Sequence, residues 1–92
     1  SMVMVMALDL EKARLMSALA RGKANWGAAY DRMEHFKRFQ NLKNIIKDLS
    51  RGGWVIIHKK PNFEAISLNP KYKKEIMGFI EEQIPELKGI VK

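Results

Sequence analysis

Leu42-Lys43-Asn44-Ile45-Ile46-Lys47-Asp48-Leu49-Ser50-Arg51-Gly52-Gly53-Trp54-Val55 is the stretch on which the fold turns. Phe39, Leu42, Ile45, Ile46 and Leu49 recur at steps of three and four, which places them on one face of an α-helix. Gly52-Gly53 stops that helix, because glycine reaches the left-handed conformation at little steric cost. Trp54-Val55-Ile56-Ile57-His58 is rich in β-formers and reads as a strand. The pattern predicts a helix over 38–51 running through a sharp stop into a strand.

Toward the C-terminus, Phe63 to Leu68 reads as the partner strand, with Glu64, Ile66 and Leu68 on one face. Lys59-Lys60-Pro61-Asn62 is the hairpin connection. Proline cannot take the positive φ of a two-residue type I′ turn centred on Pro61-Asn62, so a longer tip is expected. Asn69-Pro70 is a helix start, with Asn as N-cap and Pro in the first turn. That helix is expected to run to about Ile84, where Pro85 interrupts it, with a last turn over 86–91. Toward the N-terminus, a helix is expected from Asp9, a good N-cap, to Gly22, a good C-terminal stop. Leu8, Leu15, Met16 and Leu19 give it an apolar stripe. After a turn over 22–25, Asn25 is expected to cap a second helix from Trp26 to Glu34. Its shared face would be Trp26, Ala29, Tyr30 and Met33.

Helix, helix, helix, strand, wing, strand, helix is an order that resembles the winged helix-turn-helix superfamily, in particular its small transcriptional regulators. The resemblance spans Asn25-Trp26 to Leu68-Asn69-Pro70, about half the chain. Its most telling part is Leu42 to Val55, which looks like a recognition helix leading into the wing. Ile66-Ser67-Leu68-Asn69-Pro70 looks like the second wing strand returning into a final helix. Phe36, Lys37 and Arg38 stand where that family often has a small or Ser/Thr cap. The fold class expected is therefore α+β: a three-helix core, a two-stranded wing hairpin and a C-terminal helix. The resemblance implies double-stranded DNA as partner, although many winged helices dock proteins instead.

The 92 residues are expected to form one domain, with 1–8 as an apolar flank or tag remnant and 70–92 as a C-terminal helix able to mediate a homodimer. Met2 to Leu8 is apolar but short and lacks a charged leading region, so it does not read as a signal peptide. No run reaches the roughly 18 apolar residues of a membrane span. The absence of cysteine excludes disulfides and thiolate zinc sites within the chain. A cytoplasmic or nucleoid-associated location is the expectation. His35 and His58 stand alone, without a ligand-spaced cluster, so neither a metal nor another cofactor is expected. Ser17, Ser50 and Ser67 lack a base in a recognisable motif, and no enzyme is expected.

The net charge of +7 is unevenly placed. Residues 35–60 hold seven cations and one anion, a net +6. Such concentration on a helix and a hairpin points to a polyanion. In the predicted helix Gln40, Asn44, Lys47 and Arg51 share one face. Asn and Gln pair bidentately with adenine edges, while Arg and Lys reach guanine or phosphate. Gln40, Asn41 and Asn44 are the candidates for base contact. Arg38, Lys43, Lys47, Arg51, Lys59 and Lys60 are the candidates for phosphate contact, with the wing over 58–63 on the backbone. A plainer reading stands beside each: a solvated helix face, and edge-strand lysines that discourage aggregation. The function expected is sequence-specific binding of double-stranded DNA by a transcriptional regulator. A protein-interaction module of a larger assembly and a structured-RNA binder are the alternatives.

Overall fold

The computed structural model describes residues 1–21 and 25–91. Three helices, α1 (Met2–Arg21), α2 (Leu42–Arg51) and α3 (Lys73–Gln83), pack with a sheet of three antiparallel strands. The strands are β1 (Asp31–Arg32), β2 (Val55–Lys59) and β3 (Glu64–Leu68), in the order β1-β3-β2. The expected α+β arrangement of helices plus a wing hairpin is what the chain adopts.

Helix α2 forms from the periodicity that marked it: Ile45, Ile46 and Leu49 are buried. It meets Leu15, Met16 and Leu19 of α1, Val55, Ile66 and Leu68 of the sheet, and Ile76 and Ile80 of α3 in one core. Each fully buried Leu or Ile contributes roughly 1.5–3 kcal/mol, so this cluster outweighs any single surface interaction in holding α2 in place. Gly53 ends the helix at φ +82°. The peptide N–H groups of Gly52, Gly53 and Trp54 return to the carbonyls of Asp48, Ser50 and Leu49.

Strands β2 and β3 pair in the register Val55↔Leu68 to Lys59↔Glu64. The tip is a four-residue loop over 60–63, closed by the Lys60 N–H donating to the Phe63 carbonyl at 2.9 Å. It is longer than a two-residue turn, as Pro61 requires. The Asn69 side chain accepts from the Lys71 N–H at 3.0 Å, and Pro70 opens a 3-10 turn (Pro70–Tyr72) that leads into α3. A further 3-10 turn, Pro85–Leu87, follows α3 where proline forbids its continuation.

Three expectations are corrected. The first helix begins at Met2 rather than Asp9. Nothing in Met2 to Leu8 breaks a helix, and the Ser1 hydroxyl caps it by accepting the Met4 N–H at 3.2 Å. Residues 2–8 are thus the first turns of α1, and Asp9 sits inside the helix, 3.9 Å from Lys12. The expected stop at Gly22 lies outside the described residues.

The helix expected over 26–34 is absent. Gly27 takes φ +67°, which a helix cannot hold, and its N–H donates to the Leu68 carbonyl at 2.8 Å. The Leu68 N–H donates to the Asn25 carbonyl at 2.7 Å, so Asn25 serves the sheet and caps nothing. Asp31 and Arg32 then pair with Ile66 and Ala65. Completing the open edge of β3 outweighs the weak helical preference of so short a run. Only a 3-10 turn, Met33–Phe36, remains of the second helix. Because β3 is central, Ala65, Ile66, Ser67 and Leu68 are all buried, on both faces of the strand.

Finally, α2 starts at Leu42, four residues later than the expected Arg38. The chain over 36–41 is spent in turns, with the Phe39 N–H on the Phe36 carbonyl and the Leu42 N–H on the Phe39 carbonyl. Arg38 lays its guanidinium 4.9 Å from the centre of the Phe39 ring and donates to the His35 carbonyl at 3.0 Å.

Candidate nucleic-acid interface

A ten-residue helix has a single outward strip, and burial of Ile45, Ile46 and Leu49, with Leu42 partly buried beside them, decides which residues occupy it. At 100° per residue, Lys47, Arg51 and Asn44 lie opposite the core, and all three are exposed. Lys43 and Ser50 lean toward the sheet. Asp48 leans toward α1, where Lys12 Nζ lies 3.2 Å from its carboxylate. The one anion of α2 is therefore paired from another element. Among the described residues Lys43, Lys47 and Arg51 have no ion-pair partner within 4.0 Å. Lys47 and Arg51 thus face solvent without a direct ion pair, and Glu64 is the carboxylate that shares the sheet-side groove with Lys43 and Lys47.

The remaining candidates fall on two sides of α2. On the sheet side, Lys43 and Lys47 border a groove whose other wall is Ile57 and Glu64. A second hollow, lined by Met33, Glu34, Lys37, Leu42, Asn62, Phe63 and Glu64, continues it to the wing tip. Strand alternation puts Lys59 on the Ile57 side of the sheet, facing the same way as α2. Lys60 turns to the opposite face, 5.3 Å from the centre of the Tyr30 ring. The helix and one flank of the wing therefore share an outward surface, and Lys60 stands at its margin.

On the α1 side, Arg38, Gln40 and Asn41 line a cleft with Glu11 and Arg14. Gln40 and Asn41 precede the helix and do not ride on it. Asn41 is engaged within the protein: its backbone N–H and its Nδ2 both donate to the Glu11 carboxylate, at 3.2 and 3.0 Å. Glu11 thereby satisfies a donor at the start of α2, where negative charge is favoured by the helix dipole. Of the three candidates for base contact, Asn44 alone lies on the outward strip of α2.

Sequence reading missed Glu11, which meets Asn41 from thirty residues away. It also missed Arg14, an exposed cation of α1 beside Arg38. The position of Arg14 off the apolar stripe of α1 was the available signal, but its neighbour in space was not readable. Arg32 stands 4.0 Å over the Phe63 ring, next to a Tyr30–His58 pair 4.9 Å apart between centroids. Tyr30, Arg32 and Phe63 line a shallow open hollow with Asp31, Glu34 and His35.

His58 Nε2 lies 2.9 Å from Ser67 Oγ, which donates to the Gly27 carbonyl at the same distance. That chain ties the covering segment to the sheet. His35 Nδ1 pairs with Asp31. Among the described residues no group of three or more His, Cys, Asp or Glu is placed to hold a metal ion. No described helix is long and apolar enough to cross a membrane. Comparisons with protein-family models, with curated proteins and with solved structures gave no match.

Proposed function

We propose that this chain is a winged-helix domain that binds double-stranded DNA sequence-specifically as a transcriptional regulator, and is not an enzyme. The observation that carries the reading is the outward strip of α2. Asn44, Lys47 and Arg51 face solvent, the helix's only anion is paired to Lys12, and among the described residues no carboxylate lies within 4.0 Å of the Lys43, Lys47 or Arg51 side-chain nitrogens. An α-helix is 10–12 Å across with its side chains, which fits a major groove about 12 Å wide. Asn44 would read a base edge. Lys43, Lys47, Arg51 and Lys59 would hold phosphates on either side, with Arg38 and Lys60 at the margins. The sheet order β1-β3-β2 and the hairpin beside α2 support a winged helix.

The test is duplex binding across a salt series. If about six phosphates are neutralised, log K falls against log salt with a slope near −5. A flat dependence, or no binding at low salt, contradicts the reading.

A second reading, an interaction module within a larger assembly, is favoured by a different observation. Met2, Val3, Met4, Val5 and Met6 are each between 54% and 76% exposed on the first turns of α1. A contiguous exposed apolar surface of this kind marks an interaction site on a soluble protein. Under this reading duplex binding would track overall charge and would not depend on which α2 residue is changed.

A further inference from the structure

We propose that the groove between α2 and the wing strands binds a small amphiphilic anion, an apolar chain or ring ending in a carboxylate. The groove is open to solvent and holds a volume of about 510 Å³, within the usual range for small-molecule sites. Its floor is Met33, Leu42, Ile46 and Ile57, and its α2 rim is Lys43 and Lys47. Phosphate oxygens satisfy the rim but leave that floor uncovered. A neutral apolar molecule covers the floor but draws no attraction from the two exposed ammonium groups. One molecule with both parts matches both. Glu64 on the opposite wall fixes the direction, since it repels a carboxylate there and directs the head group to the lysines. The groove continues past Leu42 to a hollow of about 360 Å³ at the wing tip, where Glu34, Lys37 and Asn62 join Met33 and Phe63, so the apolar part of the ligand is held in the groove itself.

Lys43 and Lys47 are also among the phosphate contacts proposed above. Bound anion and bound duplex therefore compete, which would make the groove an effector site. The competition rests on the proposed function; occupancy of the groove does not.

Decanoate below its micelle concentration is the probe, followed by methyl and amide NMR shifts of the full chain. Saturable shifts at Met33, Leu42, Ile46 and Ile57 are expected. Decanol and decylammonium should bind more weakly. The Lys43→Glu, Lys47→Glu double variant changes only exposed side chains, and it should weaken decanoate by about tenfold while its amide spectrum stays dispersed. Equal binding of the three probes overturns the site, as do unsaturable shifts or shifts centred on Met2 to Met6. In a second arm decanoate is added to the protein–duplex complex. Release of duplex supports the effector role, and groove occupancy with the duplex retained overturns it. Failure of the duplex to bind at all counts against the proposed function, and the decanoate shifts still decide the groove.

Discussion

Gly53 and Gly52 are neighbours with opposite conformational demands. Gly53 sits at φ +82°, and a Cβ there would meet Tyr72 Cε2 at 3.3 Å. Gly52 is right-handed at φ −77°, and a Cβ there makes ordinary contacts. Gly53→Ala is expected to cost about 1–2 kcal/mol from the left-handed backbone, and more if Tyr72 cannot yield. Gly52→Ala is expected to change stability much less. Urea denaturation of both variants checks this, and equal costs would contradict the assignment of the turn. The residue scale is also where reading the sequence ran short. Asn41 and Asn44 look equivalent along the chain. Space distinguishes them, because Glu11 takes both donors of Asn41 while Asn44 stays on the open strip. A tertiary carboxylate leaves no trace in local pattern.

At the scale of elements, α2 and the hairpin were readable because strong signals agreed: apolar steps of three and four, a paired glycine stop, β-branched runs and a proline in the loop. Asn69-Pro70 was readable for the same reason, since cap and first-turn proline act locally. The segment over 26–34 was not. Its apolar spacing fits a helix, but the unpaired edge of β3 and the positive φ of Gly27 decide against one. A two-residue strand such as β1 has no sequence signature of its own. The start of α1 was misplaced for the opposite reason: a good N-cap at Asp9 does not interrupt a helix already running from Ser1. The proposed role of α2 is testable at this scale. Lys47→Glu with Arg51→Glu alters two exposed positions, so circular dichroism and melting should be nearly unchanged. The salt slope of duplex binding should shrink by about 2, and binding should weaken strongly. A loss no greater than that of a double reversal at Lys71 and Lys74, on the 3-10 turn and α3, would contradict a dedicated α2 contact.

For the whole molecule, the core takes side chains from every helix and from β2 and β3, yet the first turns of α1 stay outside it. Five large apolar residues on all sides of a helix call for a partner that surrounds them. We propose that the homodimer expected from the sequence uses the Met2 to Met6 turns of α1, the same surface that an interaction module would offer to another protein. Sedimentation at micromolar concentration should give twice the monomer mass, and Met4→Lys with Met6→Lys should give a folded monomer. A wild-type monomer would remove the dimer. In a two-fold assembly the two α2 helices would address half-sites about one helical turn of DNA apart.

The claim beneath all of this is that α2 and the near flank of the wing form one surface for nucleic acid. Amide and side-chain NMR shifts during titration with a short duplex address it residue by residue. The largest shifts are expected at Lys43, Asn44, Lys47, Arg51 and Lys59, with little change along α3. Shifts spread evenly over all the lysines, or gathered on Met2 to Met6 and α3, would contradict it.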